Sequence, residues 1–377
     1  MDQRLTSICG NGTMDAYMEK LQAGTMAAEA FRFVAIHQCN LNENAIRQLD
    51  NFLPPTAAGT PMADAPLISV IIPTFNRKGM LTEAVESVLW QVYPRLEVLI
   101  LDDVSTDGTS DWVQMRYGSD PRIRYVRNEA SLHAGRTRQK GYQLAQGDFV
   151  VFLDDDDFYL DRHFFAKAVT RLQAEPRLAL VCANGIQWFT ETDEVRVGAL
   201  NIHGTMSGSA YLQGFQLGLL KPFSTFTSVF RKASLDTADL ADMGMMNDGP
   251  IYMRALLTGD VHAMDDIIGV YRLHTRNISY QLPLDFLMAN LLEKKKVYDI
   301  AQERGLLADP AQWLYDHWEL TTKYYVQGTI PAYGDVRTLQ RWIHQHGLDW
   351  KDRLNRNITY WWARKQVAIR LGRKVRY

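Results

Sequence analysis

Hydrophobic periodicity divides the chain into four regions. Apolar residues at helical spacing dominate the first 53 residues, above all in the stretch 26–36, and indicate a second short helix over 43–52. The following segment holds prolines and small residues without any hydrophobic period, which is typical of a linker. The pattern therefore predicts a helical N-terminal extension over 1–53, a linker over 54–66, a main domain over 67–284 and a helical C-terminal region over 285–377.

Strand and helix patterns alternate within the main domain. Apolar runs at 68–72 and 96–101 are too short for helices, and the stretch 80–92 between them has one apolar face at helical spacing. Two more apolar runs follow at 122–126 and 148–153. Strand–helix–strand units of this kind build parallel sheets covered by helices. We therefore expect an α/β, Rossmann-like fold whose mostly parallel sheet is flanked by helices.

Four carboxylates, Asp154, Asp155, Asp156 and Asp157, end the last of these apolar runs. Ligands of open α/β sheets gather at the carboxyl ends of the strands. Adjacent carboxylates repel one another, and a divalent cation that prefers oxygen ligands relieves the repulsion. The run predicts a metal site, although acidic residues also follow strands because loops are solvated.

Composition narrows the class of protein. The 377 residues include 41 Lys and Arg against 43 Asp and Glu, so the overall charge gives no reason to expect nucleic acid as a partner. Cys9, Cys39 and Cys182 form no CxxC pair, which argues against structural zinc or a disulfide framework. The chain shows no signal-peptide pattern and no run of about 18 apolar residues, so we expect a cytoplasmic protein.

Three motifs occur in order along the main domain. They are SVIIPTFNR at 69–77, LDDVSTDGT at 101–109, and RQKG at 138–141 followed by GDFVVFLDDDD at 147–157. Together they resemble the family 2 glycosyltransferases, which are inverting enzymes with the GT-A fold, and the resemblance covers about residues 67–280. The chain departs from the family at His133, where members usually carry glycine.

The resemblance implies a nucleotide site at the carboxyl edge of the sheet. Asp103 would accept hydrogen bonds from a pyrimidine base, or else act as a turn residue that holds the amides of Ser105 or Thr106. Arg138 would pair with the diphosphate or the sugar, or else lie on a helix surface. The full set of nucleotide-binding residues implied by the resemblance is Pro73, Thr74, Phe75, Arg77, Asp103, Arg138, Asp154 and Asp155.

The resemblance also implies a metal site and a catalytic base. Asp156 would be a direct ligand of Mg²⁺ or Mn²⁺, and His274 in the segment 271–279 would be a second ligand unless it is a packing residue. Arg272 or Arg276 would clamp phosphate oxygens. Asp248 would be the base that deprotonates the acceptor, a role compatible with capping the helix that begins there.

The last 27 residues, 351–377, hold nine Lys or Arg and one acid, interleaved with aromatic and aliphatic residues. Such a segment suits an anionic membrane surface. It also suits a helix that packs through its aromatics and leaves its basic face in water. Both interpretations stay open.

The function that these motifs indicate is metal-dependent, inverting transfer of a sugar. The donor would be a nucleotide sugar, expected to be UDP-linked, and the acceptor a hydroxyl of a glycan or lipid-linked glycan in bacterial surface polysaccharide synthesis, at or near the inner face of the cytoplasmic membrane. A nucleotidyltransferase would need a glycine- and lysine-rich phosphate loop that residues 71–80 do not supply. A non-catalytic glycan-binding or scaffolding subunit would be expected to lose acids such as Asp156 and Asp248, which are present.

Overall fold

A computed structural model of the chain describes residues 14–39, 41, 46, 49, 65–275, 283–328 and 333–371. Apart from Ile46 and Leu49, the predicted short helix over 43–52 lies outside this part. Arg276 and residues 54–64 of the predicted linker also lie outside it. Among the described residues, no helix is long and apolar enough to span a bilayer.

Helices and strands alternate through the main domain as the periodicity predicts. The helices are α1 (Asp15–Gln22), α2 (Ala28–Cys39), α3 (Lys78–Leu89), α4 (Thr109–Tyr117), α5 (His133–Leu144), α6 (Phe164–Ala174), α7 (Gly208–Gly214), α8 (Lys232–Thr237), α9 (Asp248–Leu256), α10 (Leu284–Glu303), α11 (Pro310–Gln327), α12 (Tyr333–His346) and α13 (Lys351–Arg370). The strands are β1 (Ile68–Thr74), β2 (Leu96–Asp102), β3 (Ile123–Arg127), β4 (Phe149–Phe152), β5 (Phe158–Tyr159), β6 (Leu178–Phe189), β7 (Glu194–Val197), β8 (Gly204–Met206), β9 (Ser228–Arg231) and β10 (Asp260–Leu273).

One mixed sheet contains all of these strands. Its main path runs β3-β2-β1-β4-β9-β6-β10-β5, with β7 paired to β6 and β8 paired to β10. The half built from β3, β2, β1 and β4 is parallel, as the sequence predicts. Strand β9 then enters antiparallel between β4 and β6, and β6 and β10 pair in parallel beyond it. The α/β expectation is confirmed, with a second half that mixes strand directions.

The register of the parallel half brings the motifs to one edge. Every residue of β1 is buried, because helices cover both faces of the sheet. Thr74 at the end of β1 lies opposite Asp102 at the end of β2, and Ile71 lies opposite Phe152 at the end of β4. The acidic run that follows β4 therefore starts beside the end of β1.

Helix α5 approaches the sheet closely at Gly141. A Cβ atom there would lie 2.4 Å from Cγ2 of Ile71 and 2.9 Å from Cδ2 of Leu101, closer than real carbon atoms pack. Glycine is therefore required for this contact. The same helix carries Arg138 one turn earlier, so the close contact sets that arginine above the sheet edge.

The C-terminal helices pack on one another and on the main domain. Trp313 and Trp318 of α11 are buried, and their indole N–H groups donate to the carbonyl oxygens of Leu212 in α7 at 2.8 Å and of Leu291 in α10 at 3.1 Å. Buried tryptophans with satisfied N–H groups are strong packing anchors. Helix α11 thus holds both α10 and the sheet domain.

Glu293 of α10 makes a second contact between these helices and the main domain, which we call the Glu293 joint. Its carboxylate is 2% exposed and accepts hydrogen bonds from the Arg254 guanidinium of α9 at 3.1 Å and from the Gly244 amide at 3.0 Å. Arg254 is 4% exposed and also donates to the carbonyl oxygen of Ala238 at 2.9 Å. The loop that leads into α9 is therefore tied to a helix outside the sheet.

We expect Glu293→Gln to lower the free energy of unfolding by about 3–5 kcal/mol, because it leaves the Arg254 guanidinium buried without its countercharge. Denaturant titration measures this loss. The matched control is Asp299→Asn on the same helix, which breaks only a solvent-facing pair with Lys295 and should cost at most about 0.5 kcal/mol. Equal losses in the two variants would contradict the assigned role of the joint.

Candidate functional site

The acidic run after β4 is buried and crowded. Asp155, Asp156 and Asp157 are buried, and Asp154 is partly exposed. Carboxylate oxygens of Asp154, Asp156 and Asp157 all lie within 4.8 Å of one another. Burial and the neighbouring carboxylates raise the pKa of Asp157 well above its usual value and also raise the pKa of Asp154. A folded chain that concentrates acids in this way needs positive charge nearby.

Arg77 supplies part of that charge. One of its terminal nitrogens, Nη1, donates to Oδ1 of Asp155 at 3.0 Å and to Oδ2 of Asp156 at 2.7 Å. The Thr74 hydroxyl donates to the other oxygen of Asp155 at 2.7 Å. Burial and the charge of Asp156 outweigh these contacts and raise the pKa of Asp155 to about 7. Thr74, Arg77 and Asp155, all implied at the nucleotide site, thus form one connected group.

The remaining oxygens suit a divalent cation. Asp157 uses one carboxylate oxygen to accept from the Arg272 amide at 3.0 Å, while its buried Oδ2 atom has no hydrogen-bond partner among the described residues. The ring nitrogen Nε2 of His274 lies 3.1 Å from Oδ2 of Asp156. Carboxylate oxygens with one imidazole form a ligand set that Mg²⁺ or Mn²⁺ accepts. The donor set therefore fits the metal that the resemblance implies, with Asp157 as a candidate ligand that the motif comparison did not assign.

Arg138 connects the acidic run to α9. It is 6% exposed, so it does not lie on a helix surface. One terminal nitrogen pairs with Asp154, and the other lies 3.7 Å from Oδ1 of Asp248 and donates to the carbonyl oxygen of Met246 at 3.3 Å. A planar guanidinium is suited to bridge two acids in this way. The proposed diphosphate side and the proposed base are joined through this one side chain.

Asp248 is the first residue of α9, and Asn247 precedes the helix. The Asp248 side chain is partly exposed, and its Oδ2 atom lies 3.9 Å from the Lys221 ammonium. Lys221 is held in place because it donates to the carbonyl oxygens of Pro222 and Phe223, each at 2.9 Å. Asp248 therefore sits between two cations, Arg138 and Lys221. The sequence motifs gave no sign of the second.

A cavity of about 380 Å³ opens beside Lys221. Its walls include Leu200 and Leu220 from the main domain and Leu320 from α11. An acceptor approaching Asp248 through this cavity would contact both the sheet domain and the C-terminal helices.

Asp103 is fully engaged by its own chain. Its carboxylate accepts from the Asn128 side chain at 2.8 Å, the Ser131 hydroxyl at 2.7 Å, the amides of Leu132 at 2.7 Å and His133 at 3.0 Å, and the Thr137 hydroxyl at 3.2 Å. Burial opposes ionisation of Asp103, but these hydrogen bonds outweigh it and lower its pKa. The turn amide of Ser105 is instead held by Asp102 at 2.8 Å. A base that binds Asp103 has to share or replace these contacts.

The departure at His133 has a backbone explanation. Its φ angle is 59°, in the left-handed region that glycine adopts without steric cost. The chain therefore keeps the backbone conformation that glycine favours while presenting an imidazole.

Two of the other implied nucleotide residues lie next to Thr74: Pro73 is within β1, and the Phe75 ring is 54% exposed at the strand end.

Comparison with known proteins identifies the main domain. Residues 69–237 match the family "Glycosyl transferase family 2". A putative teichuronic acid biosynthesis glycosyltransferase, TuaG, of Bacillus subtilis is 45% identical over 92 residues, 24% of this chain and 36% of that protein. The GalNAc(5)-diNAcBac-PP-undecaprenol beta-1,3-glucosyltransferase of Campylobacter jejuni is 41% identical over 93 residues, 24% of this chain and 30% of that protein. The Escherichia coli UDP-Glc:alpha-D-GlcNAc-diphosphoundecaprenol beta-1,3-glucosyltransferase WfaP is 36% identical over 94 residues, 25% of this chain and 37% of that protein. The matched segment thus spans about a third of each relative.

The fold extends beyond this segment. The crystal structure of Staphylococcus aureus TarS 1-349 aligns with a TM-score of 0.58, and its complex with UDP-GlcNAc with a TM-score of 0.55. Each alignment covers 82% of this chain and 93% of the TarS chain at 18% sequence identity. The similarity supports the GT-A fold that the motifs imply.

Proposed function

Since residues 69–237 of this chain belong to glycosyl transferase family 2, we propose that the protein is a metal-dependent, inverting glycosyltransferase. It moves a sugar from a UDP-linked donor to a hydroxyl of a glycan or lipid-linked glycan in bacterial surface polysaccharide synthesis. Two relatives with lipid-linked undecaprenol substrates in their names, and a structural neighbour solved with UDP-GlcNAc, support the donor and acceptor classes. A lipid-linked acceptor stays in a membrane, so we place the reaction at the inner face of the cytoplasmic membrane.

One observation carries the proposal: Arg138 contacts both Asp154 of the acidic run and Asp248. The acidic run marks where a nucleoside diphosphate would lie, and Asp248 marks where an acceptor hydroxyl would be deprotonated. Substitution at an anomeric carbon requires these two places side by side. The residues proposed to bind the nucleotide are Pro73, Thr74, Phe75, Arg77, Asp103, Arg138, Asp154 and Asp155.

Different residues of the chain have different roles in the proposed transfer. Arg77 and Arg138 present guanidinium groups to the diphosphate oxygens, for which their planar donors are suited. Asp156, with Asp157 or His274, would hold Mg²⁺ or Mn²⁺, which when bound adds positive charge where the leaving diphosphate becomes more negative. Asp103 reads the base edge by sharing or replacing hydrogen bonds that it accepts from its own chain.

The bond change at the sugar is a single displacement. The acceptor oxygen forms a bond to the anomeric carbon from the face opposite the diphosphate, the bond to the diphosphate oxygen breaks, and UDP leaves with the electron pair. Asp248 takes the proton of the acceptor hydroxyl. Asp248 is partly exposed, so an acceptor can reach it, and Arg138 and Lys221 lie 3.7 and 3.9 Å from its two carboxylate oxygens.

Nucleotide binding is tested by thermal unfolding with UDP, UDP-sugars and Mn²⁺. Ligand at about a hundredfold excess over its Kd should stabilise the native protein by about 2.7 kcal/mol, seen as a rise in Tm. The rise should depend on Mn²⁺ and disappear in Asp156→Ala, while Asp265→Ala, an exposed carboxylate paired with exposed His203, should behave as the wild type. Absence of any shift with every nucleotide would contradict the proposal.

The role of Asp248 is tested by Asp248→Asn. Transfer from the UDP-sugar that gives the largest thermal shift should fall by on the order of 10² to 10⁴, because the amide cannot take the proton. The UDP-dependent thermal shift should remain, and Asp242→Asn, the same change at an exposed position nearby, should leave the rate unchanged. A folded Asp248→Asn protein with full transfer activity would overturn the assignment.

A further inference from the structure

Helix α13 has two faces of unusual composition. Leu354, Ile358, Trp361 and Trp362 are buried, and α13 packs with α11 and α12. The opposite face is solvent-exposed and follows helical spacing, so its members form one stripe. This outer stripe consists of Arg356, Tyr360, Arg364, Val367, Arg370 and Leu371.

The outer stripe is both basic and apolar. Tyr360, Val367 and Leu371 are 57%, 55% and 60% exposed. Helix α13 contains one acid, Asp352 in its first turn, against four arginines at 353, 356, 364 and 370. A face that only meets water would carry mixed charges and few large apolar side chains. Exposure to water alone therefore does not explain the composition of the outer stripe.

A lipid bilayer with anionic headgroups fits this combination. The arginines would meet the headgroup phosphates, and the tyrosine ring and the aliphatic side chains would enter the boundary of the acyl region. Nucleic acid would also attract the arginines. It offers no apolar layer for Val367 and Leu371, however, and Tyr360 is the one aromatic ring of the stripe, whereas a strand-binding groove stacks successive bases on several rings.

Helix α11 contacts both α13 and the cavity beside Lys221. The Lys365 ammonium of α13 donates to the carbonyl oxygens of Val326 at 3.2 Å and Gly328 at 3.3 Å, so α13 lies against the end of α11. Tyr324 and Leu320 are exposed one and two turns before that end, on the same side of α11. Exposed apolar side chains are thus present both on the outer stripe of α13 and on α11.

The cavity beside Lys221 lies next to α11. Leu320 forms part of its wall together with exposed Leu220 and with Lys221, whose ammonium lies 3.9 Å from Asp248. The walls also include the polar residues Asn184 and Gln216, and the Lys221 cation suits a phosphate group.

We propose that the outer stripe binds the surface of an anionic lipid bilayer. Membrane binding by the stripe stands without any assumption about catalysis. The use of the cavity by a lipid-linked diphosphate acceptor rests on the proposed glycosyltransferase function.

Cosedimentation of the full chain with lipid vesicles tests the stripe. We expect binding to vesicles of phosphatidylcholine with phosphatidylglycerol, little binding to phosphatidylcholine alone, and weaker binding as salt is raised. Arg356→Glu/Arg364→Glu should reduce the partition coefficient at least about tenfold, since each arginine near the surface contributes about one factor of five. The matched control, Arg124→Glu/Arg177→Glu, makes the same charge change at exposed positions outside the stripe and should leave binding nearly unchanged.

The apolar part of the stripe is tested separately. Tyr360→Ser/Val367→Ser keeps every charge and should still weaken vesicle binding, because it removes apolar side chains that would enter the acyl layer. An acidic protein partner has no acyl layer, so this loss distinguishes a bilayer from such a partner. Equal loss in the stripe and control charge variants, or no binding to anionic vesicles, would overturn the proposal. So would sedimentation velocity showing that a second copy of the chain covers the stripe.

Nucleotide binding separates this inference from the proposed function. The stripe variants should keep the UDP- and Mn²⁺-dependent rise in Tm, because the stripe does not touch the acidic run. Loss of vesicle binding with that rise intact confirms the stripe alone. If the protein binds vesicles but shows no nucleotide-dependent rise in Tm, the membrane-binding proposal is supported and the proposed transferase function is contradicted.

Discussion

Electrostatic repulsion at the end of β4 constrains the rest of the site. Asp154 to Asp157 and Asp248 place five carboxylates close together, and the ion pairs described for them come from Arg77, Arg138, Lys221 and His274. The raised pKa values of Asp154, Asp155 and Asp157 show that these partners do not fully offset burial and repulsion. A divalent cation would offset the remaining repulsion, which is the physical basis of the proposed metal site.

The helices beyond the family segment contribute to this arrangement. Glu293 of α10 holds the Gly244 amide and Arg254, which flank the start of α9, where Asp248 lies. Leu320 of α11 closes one wall of the cavity beside the same aspartate. The C-terminal region would thus form part of the proposed acceptor side of the site. A chain cut after the matched segment would lose the joint and the cavity wall together.

Local sequence patterns predicted the parallel half of the sheet and the position of the acidic run, because strand length, helical spacing and a charged strand end are local properties. Antiparallel entry of β9 was not predictable, since pairing depends on which segments meet in space. Asp103 shows the same limit: its five donors come from residues 25 to 34 positions away, beyond any local motif. Lys221 received no role of its own from the sequence, because a lone lysine before a proline carries no chemical signature.

A crystal structure of the protein grown with UDP and Mn²⁺, with anomalous scattering recorded for manganese, tests the central claim most directly. The account predicts one manganese peak in direct contact with a carboxylate oxygen of Asp156 and with the diphosphate, with the UDP pyrophosphate between Arg77 and Arg138. Manganese bound away from the acidic run, or UDP bound elsewhere on the sheet, would contradict it.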